Sequence, residues 1–287
     1  MKIPVFLFLF LFIGCQSETP KSKPNPKIIE PKISTKSLIS ETGATIQDRF
    51  NPPLNYQRTK EAPNSFQNYL RNLNLKPVGS KVLYHNGATK PNNKVYEAVV
   101  DLPIGTKNLH QCADAIMRLQ AEYLWNQKKY DQIHFNFTNG FRVDYSEWMK
   151  GKRIKVNGNK TSWVDKTSPS NTYQDFWNYL EIIFTYAGTA SLEKELLPVD
   201  IQKAEIGDVL IQGGHPGHAV ILVDKATHKT TGKNVYLLAQ SYMPAQELQI
   251  LKNPEDQGMS PWMELKEGSI RTPEWGFESG DLRRFRE

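Results

Sequence analysis

Hydrophobic and polar positions divide the chain into three regimes. Ile3 to Ile13 is an almost unbroken apolar run, Gln16 to about Ile39 is polar and rich in Lys, Pro and Ser, and from Ser65 onward apolar residues recur with the periods of regular structure. In the third regime Phe66, Tyr69, Leu70 and Leu73 share one stripe and predict a short helix over Ser65–Leu73. Leu109 to Lys129 carries the clearest helical pattern. Asn108 is placed to cap it, Gln111 stands at capping-box spacing, and Lys128-Lys129 suit the negative end of the helix dipole. Tyr173 to Tyr186 predicts a second, strongly aromatic helix ending near Gly188. Strands are predicted at Val82–Tyr84 and Val95–Leu102, around an Asn86-Gly87 turn. Three more follow at Asp208–Ile211, His218–Val223 and Val235–Ala239, with Gly213-Gly214 and Gly232 in the turns. Beyond Met243 the prolines 244, 254, 261 and 273 predict a loop-rich end. Helix first and antiparallel strands after is an α+β order.

The apolar run at the start is about the length of a signal-peptide core and too short for a bilayer, which needs roughly 20 residues. It ends in Phe12-Ile13-Gly14-Cys15, which resembles the lipobox cut by lipoprotein signal peptidase, with Phe12 where Leu is usual. The resemblance implies a signal peptide over residues 1–14 and a diacylated Cys15 as the first residue of the mature chain. Residues 15–45 are then expected to be the lipidated Cys and a flexible linker, because so polar a segment buries too little surface to offset its ordering entropy. Residues 46–287 are expected to form a single α+β domain. Trp, Tyr and Phe are spread along its whole length, with no internal repeat.

Charge sharpens this division. Five linker lysines (21, 23, 27, 32 and 36) against Glu18 and Glu30 leave +3 in the linker. With Lys2 in the leader, only +2 of the chain's +6 belongs to the rest. A basic tail suits anionic lipid or wall polymer, and a nearly neutral domain argues against nucleic-acid binding. The expected location is outside the cytoplasm, lipid-anchored on the periplasmic face or the cell surface of a bacterial membrane.

Two places carry candidate chemistry. Cys112 is the only free thiol once Cys15 is lipidated, and it stands in the first turn of the best helix, where the helix dipole favours thiolate. It also shares a stripe with Ala115, Ile116, Leu119 and Tyr123, so a core role stays open. The second is the run Gly207-Asp208-Val209-Leu210-Ile211-Gln212-Gly213-Gly214-His215-Pro216-Gly217-His218-Ala219-Val220. Its glycine-rich turn before a Gly-His-Ala strand resembles the general-base strand of NlpC-type and CHAP-type cysteine peptidases. That resemblance implies a papain-like fold with a Cys-bearing helix packed on an antiparallel sheet. It also implies a catalytic set of Cys112 as nucleophile, His218 as general base and Gln240 as the orienting group. The flank Gln111-Cys112-Ala113-Asp114 departs from that family's Asp-Cys-Ser-Gly, and the interval from Cys to His is long. His218 has two other readings: a structural histidine, or a metal pair with His215 completed by Asp224 or His228. Strand periodicity places Asp224 on the same face as His218. No zinc motif supports the metal, and no cofactor is expected.

Several segments in order are similar to the bacterial family of domain of unknown function 4846. They include Gln111 to Leu119, His134-Phe135-Asn136-Phe137-Thr138-Asn139-Gly140, Tyr186-Ala187-Gly188-Thr189, the run from Gly207 to Asp224, Ala239-Gln240-Ser241-Tyr242-Met243-Pro244 and Thr272-Pro273-Glu274-Trp275. Members of that family are typically read as exported lipoproteins and carry no assigned activity. Two functional classes therefore remain open. One is a cysteine peptidase or amidase acting on envelope amide bonds such as peptidoglycan stem peptides. The other is a non-catalytic lipoprotein binding a wall polymer, glycan or partner protein, with Trp148, Trp163, Trp177, Trp262 and Trp275 as groove or core aromatics. Arg118 and Glu122, spaced i,i+4, are expected to pair on the helix surface.

Overall fold

The structure is a computed structural model that describes residues 37–286 together with Met1, Lys2, Pro4, Leu7, Leu9, Leu11 and Gly14. Cys15 and the linker up to Lys36 lie outside the described residues. Two units separate, Met1–Thr35 and Lys36–Glu287. No helix among the described residues is long and apolar enough to cross a membrane. The folded unit begins before the boundary expected at residue 46, because Leu38 and Ile39 pack on the core and Ile39 bridges Phe50.

The unit opens with α1 (Ile46–Arg49), β1 (Tyr56–Arg58) and α2 (Phe66–Arg71), the last capped by the Ser65 hydroxyl accepting from the Asn68 N–H. A short strand β2 (Tyr96–Val99) precedes the long helix α3 (Cys112–Asn126). That helix starts three residues later than its periodicity suggests. Gln111 is extended and donates its N–H to Asp114 Oδ2 at 2.9 Å, while Asn108 instead accepts from the Ala245 N–H at 2.7 Å. It stops before Lys128, whose φ of 58° is incompatible with a helix. A middle section holds the hairpin β3 (His134–Asn136) and β4 (Arg142–Asp144), α4 (Tyr145–Met149), the hairpin β5 (Lys152–Asn157) and β6 (Lys160–Asp165), α5 (Tyr173–Tyr186) and α6 (Thr189–Glu195). α5 coincides with the predicted helix.

Then come β7 (Leu197–Pro198), β8 (Val209–Gln212), β9 (His218–His228), β10 (Asn234–Gln240), β11 (Gln249–Leu251), β12 (Ser269–Arg271), β13 (Gly276–Glu278) and β14 (Leu282–Arg284). The main sheet runs β2-β11-β10-β9-β8-β14-β7, with β1 added to the end of β9, and its pairings are antiparallel. The α+β class with a Cys-bearing helix on an antiparallel sheet is thus the observed architecture. The loop-rich end predicted after Met243 holds four strands, each too short for alternation to register. Val82–Tyr84 forms only isolated bridges, because the Leu83 N–H goes to Glu247 Oε2.

Strand periodicity sorts the core into two layers. Ala219, Ile221 and Val223 of β9 join Val209 and Ile211 of β8 and Leu237 and Ala239 of β10 in the cluster that contains α3. Val220 and Leu222 face the other way, into a cluster with Leu238, Ile270, Phe277 and Leu282. A β-bulge breaks this alternation. Leu237 pairs with Asp224 and Leu238 with Leu222, so Val223 is the extra residue. Asp224 therefore leaves the face of His218 and turns to the helices, where Arg58 and Arg71 each reach it at 2.7 Å. The shared face expected from a period of two does not hold.

Candidate functional site

The N-terminus of α3 is tied to the end of β10 by one side chain. Ser241 Oγ lies 2.9 Å from the His110 carbonyl and 2.6 Å from that of Gln246, so its proton joins the strand end to the residue two before Cys112. This seats the Cys112 thiol at the start of β9, against the backbone N–H of Ala219, the residue after His218. The thiol is 7% exposed. Burial and the neighbouring Asp114 push it up to about 11, while the N–H groups of Ala113, Ala219 and Cys112 pull the other way.

His218 and Gln240 open β9 and close β10, and they meet on the face away from α3. His218 Nε2 lies 2.8 Å from Gln240 Oε1. The Gln240 amide is fixed from its other end, where Nε2 donates to Glu274 Oε2 at 2.6 Å. A carboxylate only accepts, so the amide oxygen must face the ring, and the ring nitrogen it meets must carry the proton. Nδ1 of His218 is thereby left as the basic nitrogen. Glu274 is in turn paired with the buried Lys90 at 2.6 Å. The imidazole sits among Tyr242, Trp275 and Phe277, with ring centroids 4.6, 5.4 and 6.1 Å away. Burial lowers its pKa to about 4, against the bond to Gln240 and helped by Lys90.

The structure therefore gathers Cys112, His218 and Gln240 at one end of the sheet. The thiol meets the peptide N–H that follows His218, and the His218 imidazole packs on Tyr242. They are not hydrogen-bonded to each other, and at neutral pH both are uncharged. With His218 and Gln240 each 1% exposed, a substrate reaches the sulfur only after a rearrangement. Trp275, held by its indole N–H on Gln212 Oε1 at 2.9 Å, covers the imidazole.

Sequence reasoning missed Lys90 and Glu274. The signal for Glu274 was its place in Thr272-Pro273-Glu274-Trp275, among the segments similar to a family. Nothing local marked Lys90. Other expectations change in the structure. Arg118 and Glu122 do pair, at 3.2 Å, yet both are buried: Arg118 lies 4.7 Å over Trp177, and Glu122 accepts from the Tyr173 hydroxyl. Trp148 and Trp262 are buried, while Trp163 and Trp177 are half-buried against the main core, so Trp275 is the tryptophan at the site. Among the described residues no group of three or more His, Cys, Asp or Glu is placed to hold a metal. His215 is exposed, and Asp224 is taken by its arginines.

Comparison with known proteins adds a family and no activity. No curated protein and no solved structure matches the chain. The family described as domain of unknown function 4846 matches residues 46–284, nearly the whole folded unit, and the chain belongs to that family.

Proposed function

We propose that the chain is an exported, lipid-anchored envelope protein whose folded unit is a papain-like cysteine peptidase or amidase. Its substrates would be envelope amide bonds such as those of peptidoglycan stem peptides. The observation that carries this reading is the orientation of His218. Gln240, anchored by Glu274, holds the ring with its proton on Nε2 and its lone pair on Nδ1, beside the peptide that meets the Cys112 thiol. A general base needs that tautomer control.

In the proposed reaction Nδ1 takes the thiol proton as sulfur attacks the scissile carbonyl carbon. The carbon–nitrogen bond then breaks, the imidazolium returns the proton to the leaving amine, and a thioester remains on Cys112. Water activated by the same nitrogen hydrolyses the thioester and restores the thiol. The backbone N–H of Cys112, among the first of α3 and without a partner inside the helix, is suited to the developing oxyanion. Because the resting thiol is held neutral, binding of substrate must bring sulfur and Nδ1 into contact.

A second reading rests on the same burial: a non-catalytic module that binds wall polymer, glycan or partner protein and keeps Cys112 as a core residue. The two separate on muropeptide cleavage by the full chain and its Cys112→Ala and His218→Ala variants. The hydrolase reading expects cleavage that falls at least about a thousandfold in both variants. Absence of cleavage by the parent chain, or equal cleavage by the variants, overturns the assignment of Cys112 and His218 as a hydrolase pair.

A further inference from the structure

We propose that a groove at the far end of α3 binds an uncharged oligosaccharide, independently of the thiol site. The groove has a volume of about 390 Å³ and lies between α2 and the last turn of α3. That volume is within the range of small-ligand sites, which runs from about 300 to 1,000 Å³. The 15 residues of α3, at a rise of about 1.5 Å each, put it about 20 Å from Cys112.

The lining is dominated by side-chain amides: Asn64, Asn68, Asn72, Asn74, Asn126 and Gln127. Each amide offers both a donor and an acceptor, the combination that matches sugar hydroxyls and acetamido groups. Two are already oriented. Asn72 donates to the Asn68 carbonyl oxygens of backbone and side chain, and its own Oδ1 accepts from Gln47. The side chains of Asn64, Asn74, Asn126 and Gln127 make no hydrogen bond within the described residues, so their polar groups are available to a ligand. Tyr69 and the buried Tyr123 form the floor, with ring centroids 5.8 Å apart and planes tilted by 46°. The Tyr123 hydroxyl is held on the Asn64 carbonyl at 2.8 Å, which fixes that ring.

Charge decides the ligand class. Asp101 is the one charged side chain in the lining, which contains no Lys or Arg. A phosphate-bearing or carboxylate-bearing polymer would meet a carboxylate with no cation in the lining to neutralise it. Lys129 lies 6.0 Å over the Tyr123 ring and stands outside the lining. Neutral amides with tilted aromatics suit a neutral polyol.

The test is titration of the full chain with chitotetraose and with maltotetraose, followed by calorimetry and amide chemical shifts. At least one of the two should bind saturably, shifting Asn126 and Gln127, with an affinity unchanged by added salt. The double variant Asn126→Ala/Gln127→Ala, which touches exposed positions, should weaken it about tenfold, as loss of two modest hydrogen bonds does. Cys112→Ala should bind as the parent chain does, so this result stands whether or not the hydrolase reading survives. Failure of both sugars to bind, undiminished binding by the double variant, or displacement of the sugar by linear polyphosphate overturns the proposal.

Discussion

At the residue scale, the site is governed by two neutral groups kept neutral by burial. A thiol raised to about 11 holds far less thiolate at pH 7 than one at its ordinary value of 9.0. Alkylation of native Cys112 by iodoacetamide at pH 7 should therefore run about a hundredfold slower than in the urea-unfolded chain, before any steric protection is added. A native rate equal to the unfolded one would mean the thiol is neither buried nor raised. The orientation of His218 gives a sharper expectation. Replacing Glu274 by Gln removes the group that can only accept, so the Gln240 amide is free to turn. Nitrogen shifts of His218 should move from a single Nε2–H tautomer to a mixture, alongside a loss of stability from the unpaired, buried Lys90. An unchanged tautomer would show that Gln240 is oriented by something other than Glu274.

At the scale of elements, the bulge in β9 matters most. By adding Val223 it turns Asp224 towards α2 and β1, where one buried carboxylate joins Arg58 and Arg71. It accepts the Lys225 N–H as well, at 2.9 Å. Asp224→Asn keeps the shape, leaves Arg58 without its anion and leaves the buried Arg71 with only Glu61, at 3.8 Å. Breaking a buried pair in this way costs about 3–5 kcal/mol. Urea denaturation should show that loss, and a change under 1 kcal/mol would mean the cluster holds nothing together. The bulge was not legible in the sequence, because Val223-Asp224 continues the strand without a glycine or proline. The β5–β6 hairpin is a different kind of miss. Its Asn157-Gly158 turn, with Gly158 at a φ of 59°, is a hairpin signal visible in the sequence between two alternating segments.

For the whole molecule, buried titratable groups set how stability follows pH. Burial lowers His110 to about 3 and His218 to about 4, so their contributions are complete above pH 6.5 and fade as pH falls below it. Burial raises Asp114 to about 8 and Glu195 to about 7, so theirs are complete near pH 4 and fade as pH rises. Between pH 4.5 and 6.5 the two sets oppose each other. Above 6.5 the histidines no longer change, while Glu195 continues to about 7 and Asp114 to about 8. Stability should fall by about 3 kcal/mol between pH 6.5 and 8.5, and Asp114→Asn should remove most of the decline, with Glu195 accounting for the rest. A parent chain equally stable at both ends would show that Asp114 is ionised in the fold.

By itself the sequence determined what local patterning can determine. It set the α+β class, the exact span of α5, the helix behind Cys112, the strand that begins at His218 and, to within a residue at each end, the strand observed over Asn234–Gln240. Those follow from periodicity and turn chemistry acting within a dozen residues. The tertiary structure decided what depends on distant partners. It turned Asp224 off the face of His218, buried Arg118 with Glu122, and linked Gln240 to Glu274 and Lys90 across long loops. It also made the dipole argument at Cys112 secondary: the helix start does favour thiolate, and the loss of water around a buried sulfur outweighs it.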